Sequence, residues 1–159
     1  MNNFVIDNVI KEDYEFLRKF CEFMSEAGYE SEFAPPMTLE EVEKWEKDND
    51  TELPSGYKSW LLLTAESNIM DYIILAEPVI GTLEEENDIV IIGTAVGDGE
   101  EVGIRRSDGS VYSIFDGEVR EYKDFDDFLT VKLYFLEEIA EEEIGEDWED
   151  QMNEMFGEE

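Results

Sequence analysis

The spacing of apolar residues changes once along this chain, near Asn68, and that change limits the folds open to it. Before it, Phe16, Phe20 and Phe23 recur with Leu17, Cys21 and Met24 at helical spacing over residues 13–26, up to Gly28. Pro35-Pro36 imposes an extended turn, and Thr38 with Glu41 forms a capping box for a second helix carrying Leu39, Val42 and Trp45. Asp48-Asn49-Asp50 breaks that helix. Pro54 opens a third, where its missing N–H costs nothing, with Tyr57, Trp60, Leu61 and Thr64 facing a core. After Asn68 the pattern becomes short β-branched and aromatic runs, predicting strands over 70–75, 79–81, 89–93, 102–106, 111–115 and 119–122. Asp108-Gly109 and Asp116-Gly117 provide tight turns, so the last three runs read as an antiparallel meander. Asp124 caps a final long helix bearing Phe125, Phe128, Leu129, Leu133, Leu136 and Ile139, and Trp148, Met152, Met155 and Phe156 mark a short acidic one.

Helices, then strands, then helices predict a single α+β domain, an antiparallel sheet of about five or six strands flanked by helices. Residues 1–36 are expected to form a helix and connector packed on the domain, 37–140 the domain itself, and 141–159 an acidic extension. No fixed-period repeat and no Gly/Ser linker divides the chain.

Hydrophobic residues make up 42% and aromatics 13%, too many for a disordered chain even though 44 Asp and Glu face 11 Lys and Arg for a net charge of -33. Such a surface repels phosphate, which argues against nucleic-acid and anionic-membrane partners and for a basic protein partner. Acidity that serves only solubility, or a salt-adapted source, is the alternative. Cys21 is the only cysteine, so an intramolecular disulfide is impossible and a buried thiol is expected. The first residues lack the pattern of a secretory signal, and the apolar runs at 60–63 and 89–92 are too short to span a bilayer. A cytoplasmic location is expected, which makes the sequon Asn49-Asp50-Thr51 a chance occurrence.

The chain has no histidine, which removes the commonest general base and metal ligand and every Ser-His-Asp or Cys-His arrangement. Residues 93–99, Gly-Thr-Ala-Val-Gly-Asp-Gly, lack the ending of a phosphate loop and the spacing of a dinucleotide site. Carboxylates alone can hold Mg²⁺ or Ca²⁺, but with so many of them pairs arise at any spacing by chance, and 98–101 lacks the alternation of a calcium loop. No cofactor, no metal and no catalysis are therefore expected. What remains is charge: Glu84, Glu85, Glu86 and Asp88 in one connection and Asp98, Glu100 and Glu101 in the next are the candidate partner-binding residues. If neighbouring strands bring the two connections together they form one acidic rim; otherwise they are solvated loops. Trp45 and Trp60 lie at helical spacing and read as core.

Leu53-Pro54-Ser55-Gly56-Tyr57-Lys58-Ser59-Trp60-Leu61, following the helix with Trp45, resembles the LP-x-x-Y-x-x-[FW]-L signature of the SUKH superfamily. Ile92-Gly93, Gly97-Asp98-Gly99-Glu100 and Val102-Gly103-Ile104 resemble its glycine-aspartate strand-turn-strand segment, Gly109-Ser110-Val111-Tyr112 with Asp116 its next hairpin, and Phe125-Asp126-Asp127-Phe128-Leu129 its closing helix. The resemblance covers about residues 38–139; it departs at Ser67-Asn68-Ile69, where an Asn-Gly step is usual, and at Asp124, where serine is usual. It implies an α+β fold and, as in many bacterial members, an immunity protein that binds and neutralises a toxin, often a nuclease, rather than a catalyst. Fungal relatives, linked to cell-wall assembly signalling, imply instead a regulatory or scaffold module binding an endogenous protein. A carboxylate-based metal-dependent enzyme is the remote third reading. The signature residues Leu53, Tyr57, Trp60 and Phe128 look structural, so the resemblance assigns no contact residue by position.

Overall fold

A computed structural model describes residues 4–70, 72–83, 86–95, 100–115 and 118–157. In chain order the elements are α1 (Asn8–Ser25), β1 (Glu32–Phe33), α2 (Leu39–Asp48), α3 (Ser55–Leu61), β2 (Ser67–Ile69), β3 (Ile73–Leu83), β4 (Glu86–Ala95), β5 (Glu100–Arg105), β6 (Val111–Phe115), β7 (Glu118–Tyr122), α4 (Phe125–Glu143) and α5 (Trp148–Met155). The strands form one seven-stranded antiparallel sheet in sequential order, β1 to β7, so the α+β architecture is as expected and the sheet is wider.

The extra width comes from residues read as turn or connector. Glu32–Phe33 pairs with Ser67–Ile69, which in turn pairs with the start of β3, so the sheet begins inside the segment expected to be a connector. Met70, expected to start a strand, instead takes φ +55 and turns the chain, and the Tyr72 N–H returns to the Ile69 carbonyl. The two runs expected at 70–75 and 79–81 are parts of the single strand β3, interrupted by a register shift between Leu75 and Val79. Pro78 lies in that shift, where its lack of a donor breaks no ladder bond. Two aromatics hold the irregular stretch from the helical side: the Trp45 indole donates to the Pro78 carbonyl at 3.0 Å and the Tyr57 hydroxyl to that of Ala76 at 3.3 Å.

Local signals place the helices. Asp7 caps α1 by accepting from the N–H groups of Val9 and Ile10, starting the helix five residues earlier than the apolar spacing predicts. Thr38 and Glu41 form the expected capping box, and Asp124 accepts the Asp127 N–H at 2.8 Å. The helices lie against one face of the sheet. Their core joins Phe20, Tyr57, Trp60, Phe125 and Phe128 to Leu75, Val90, Val102, Ile104 and Val111. Trp148 of α5 meets Phe20 edge-on at 5.5 Å, so this short acidic helix docks on α1. Lys132, at 3% exposure, breaks the apolar face of α4, its ammonium near the rings of Tyr122 and Phe128.

Candidate functional site: the uncovered sheet face

Strand alternation gives the sheet two unlike faces. Along one transverse row Phe33, Ser67, Leu75, Gly93, Val102, Ser113 and Arg120 are successive cross-strand partners, and its central members are buried on the helical side. The adjacent row crosses all seven strands on the other side: Glu32, Asn68, Ile74, Thr94, Glu101, Ile114 and Val119. A second outer row carries Val79, Ile91, Gly103, Tyr112 and Glu121. No described helix covers these rows: Val79 is 60% exposed, Val119 53% and Ile74 37%, and Glu101 and Glu121 are exposed. A row of seven strands spans roughly 29 Å at the usual strand spacing, enough for a protein partner. Arg105, on the same face, is engaged by Asp108 at 3.2 Å and lies 4.4 Å over the Tyr112 ring.

At the β1 end this face sinks into a groove of about 450 Å³. It is lined by residues 32–34, 66–68 and 74–76 from three neighbouring segments, with Glu32, Asn68 and Ile74 of the outer row among them. Glu32 and Glu66 are exposed, and neither forms an ion pair among the described residues.

The sequence-predicted contact residues divide differently. Glu84, Glu85 and Asp98 lie outside the described residues. Glu86 begins β4, opposite Leu83, and Asp88 follows it; Glu100 begins β5 opposite Ala95, the last residue of β4. The strands do pair as neighbours, but an antiparallel meander sends successive connections to opposite ends of the shared strand. Glu86 and the Ala95 partner of Glu100 stand at opposite ends of the ten residues of β4, roughly 30 Å apart, so Glu86 and Glu100 do not share one rim. Of the seven, Glu101 alone is placed by its described side chain on the uncovered face. Charge is also not confined to one side: Glu12, Glu15 and Glu22 on α1, Glu40 and Glu41 on α2, and residues 141–143 on α4 are exposed too. On the outer face exposed apolar surface and carboxylates lie interleaved in rows across neighbouring strands, although single exposed apolar side chains also occur on the helices, at Val9, Val131, Tyr134 and Met155.

The missed groove residues are dispersed at 32–34, 66–68 and 74–76, and no spacing in the chain links them. A usable signal was nevertheless present. The runs Ile73-Ile74-Leu75 and Ile89-Val90-Ile91-Ile92 lack the apolar/polar alternation of a strand with one wet face, which marks both faces as apolar.

A second gathering of carboxylates is structural. Asp7, Asp13, Asp124 and Asp126 lie where the N-termini of α1 and α4 approach α3, and one Asp126 carboxylate oxygen is buried without a hydrogen-bond partner. Burial raises the pKa of Asp126 above its ordinary 3.8, and the charges of Asp7, Asp124 and Asp13 raise it further. Asp13 is raised from 3.8 by burial, then by Glu12 and Asp7. Between 3.8 and those raised values the folded protein binds protons that the unfolded chain has released. Stability therefore falls as pH rises through that window and is regained on mild acidification. Asp126→Asn should be more stable than the parent at pH 7 in urea denaturation, with the difference closing as the pH approaches 3.8. No group of three or more potential ligands among the described residues is arranged to hold a metal ion. Burial pushes the Cys21 thiol up to about 11, against the opposing effects of Ser31 and Arg18, so it stays protonated and unreactive. No described helix is long and apolar enough to cross a membrane.

Neither a scan against models of known protein families nor a search of curated proteins finds a match to this chain.

Proposed function

We propose that this chain is a protein-binding module of the immunity type, which seats a basic partner, a nuclease domain being the class its charge suits, on the outer sheet face and blocks that partner's active site. The observation that carries the proposal is the uncovered outer row, with exposed Ile74 and Val119 alternating with Glu32 and Glu101. Apolar surface of this kind on a folded chain marks a place of contact. The carboxylates choose the sign of what docks there, and a net charge of -33 speeds a cationic protein toward it. A nuclease suits this surface because it is basic where it meets phosphate. The order of motifs resembling the SUKH superfamily supports the same reading, with toxin neutralisation as the role.

Co-purification with the product of the adjacent gene, followed by association kinetics, tests this. Glu101→Lys should slow association about tenfold at low ionic strength and much less at high salt, because exposed charges steer encounter only when unscreened. Val119→Asp should instead speed dissociation, since it removes apolar contact. If no basic protein binds at low salt, or if both variants bind like the parent, the proposal fails.

A further inference from the structure

The groove at the β1 end of the outer face brings two carboxylates, Glu32 and Glu66, over apolar walls, and we infer that it is the seat of a single guanidinium side chain presented by the partner. The inference rests on the binding reading above and adds what the bound chemistry is. Glu32 lies opposite Asn68, and Glu66, one residue before β2, accepts the Ala34 N–H on its carbonyl at 2.8 Å, which continues the pairing one step and sets the two glutamates diagonally across the groove that both line. Diagonal neighbours stand about 7–8 Å apart at the backbone, near enough for two carboxylates to converge on one planar cation.

Each of these carboxylates is exposed, and neither is ion-paired among the described residues, so both are available to an incoming cation. A compact ammonium satisfies one of them well. A guanidinium, with donors on both edges of its plane, bridges two. The walls fit the rest of such a side chain: Ile74 is 37% exposed there, and Ala34 and Ala76 leave room for a trimethylene stem to lie against apolar surface. The volume of about 450 Å³ accommodates one long side chain.

The test uses the full chain and needs no protein partner. N-acetyl-arginine amide is titrated while backbone amide NMR shifts are followed, with the citrulline analogue, its uncharged isostere, as the control. The arginine compound should shift the resonances of Glu32, Glu66, Asn68 and Ile74 in a saturable way, and citrulline should not. Glu32→Gln combined with Glu66→Gln should weaken binding by about tenfold. Glu138→Gln with Glu142→Gln, which removes the same charge from the exposed surface of α4, should leave it nearly unchanged. Shifts scattered over the acidic surface, or equal losses in the two double variants, overturn the guanidinium seat and reduce the effect to general field attraction. The failure of the wider reading is separable: a basic partner that binds the Glu32→Gln/Glu66→Gln chain undiminished overturns the groove and leaves the docking face standing.

Discussion

Gly93→Ala should abolish the native fold or lower its stability by roughly 4 kcal/mol or more, one of the largest effects a single methyl group can have. A Cβ at this position falls 2.0 Å from the Ile74 carbonyl oxygen and 2.9 Å from the Leu75 Cα, backbone atoms of the neighbouring strand that have nowhere to move. Two irregularities of the central sheet meet here: the register of β4 against β5 shifts between Ile91 and Gly93, and that of β3 against β4 shifts just beyond the Leu75–Gly93 pair. With φ at +155° the glycine also takes a conformation that L-residues rarely adopt. Gly28→Ala is the control, because Gly28 has φ +97 but open space around the added Cβ, so only the backbone cost of about 1–2 kcal/mol applies. Urea unfolding of both variants separates the two causes. A Gly93→Ala protein as stable as Gly28→Ala would mean that β3 yields at Ile74, and the close approach would then not be a constraint.

The same position shows what the chain reveals before folding. A glycine in the run Ile92-Gly93-Thr94 can be recognised as a bulge or a close approach, but which strand approaches it depends on pairing that local sequence does not contain. Elements governed by neighbouring residues were legible: the Thr38–Glu41 box, the Asp124 cap, the break at Asp48-Asn49-Asp50 and the β5–β6 turn at Gly109, φ +77. Elements that exist only because a distant strand supplies their hydrogen bonds were not. Glu32–Phe33 has two residues and no periodicity of its own, and it is a strand because Ser67 and Asn68 lie beside it. Ser67-Asn68-Ile69 has turn-like composition and is held straight by pairing on both sides. The candidate site inherits this limit. Charge clusters are visible as runs, so attention falls on 84–88 and 98–101, whereas the groove is assembled by register from three strands with ordinary compositions.

Lys58→Met should cost about 3 kcal/mol, far more than a cation on an acidic protein normally contributes, because its partner is nearly as buried as it is. The Lys58 ammonium lies 3.0 Å from Glu46 Oε1, with side-chain exposures of 10% and 13%, and 4.8 Å from the centre of the Phe4 ring. Glu46 Oε2 also accepts the Leu53 N–H at 2.8 Å, so one carboxylate ties the end of α2 to the residue before Pro54 and to the first turns of α3. Removing the lysine leaves a desolvated carboxylate with a single hydrogen bond, in a chain whose net charge of -33 already opposes it. Glu46→Gln in the same background removes that charge, while its amide oxygen still accepts from Leu53. The double variant should therefore recover about 2 kcal/mol of the loss. The pair would then act chiefly in joining α2 to α3, which carry the Trp45 and Tyr57 bonds to the bulge of β3. A loss below about 1 kcal/mol for Lys58→Met would put this pair among ordinary surface ion pairs. Full additivity of the two substitutions would mean that Glu46 does not depend on Lys58 for its neutralisation, and the Trp45 and Tyr57 bonds would then hold the bulge without help from this pair.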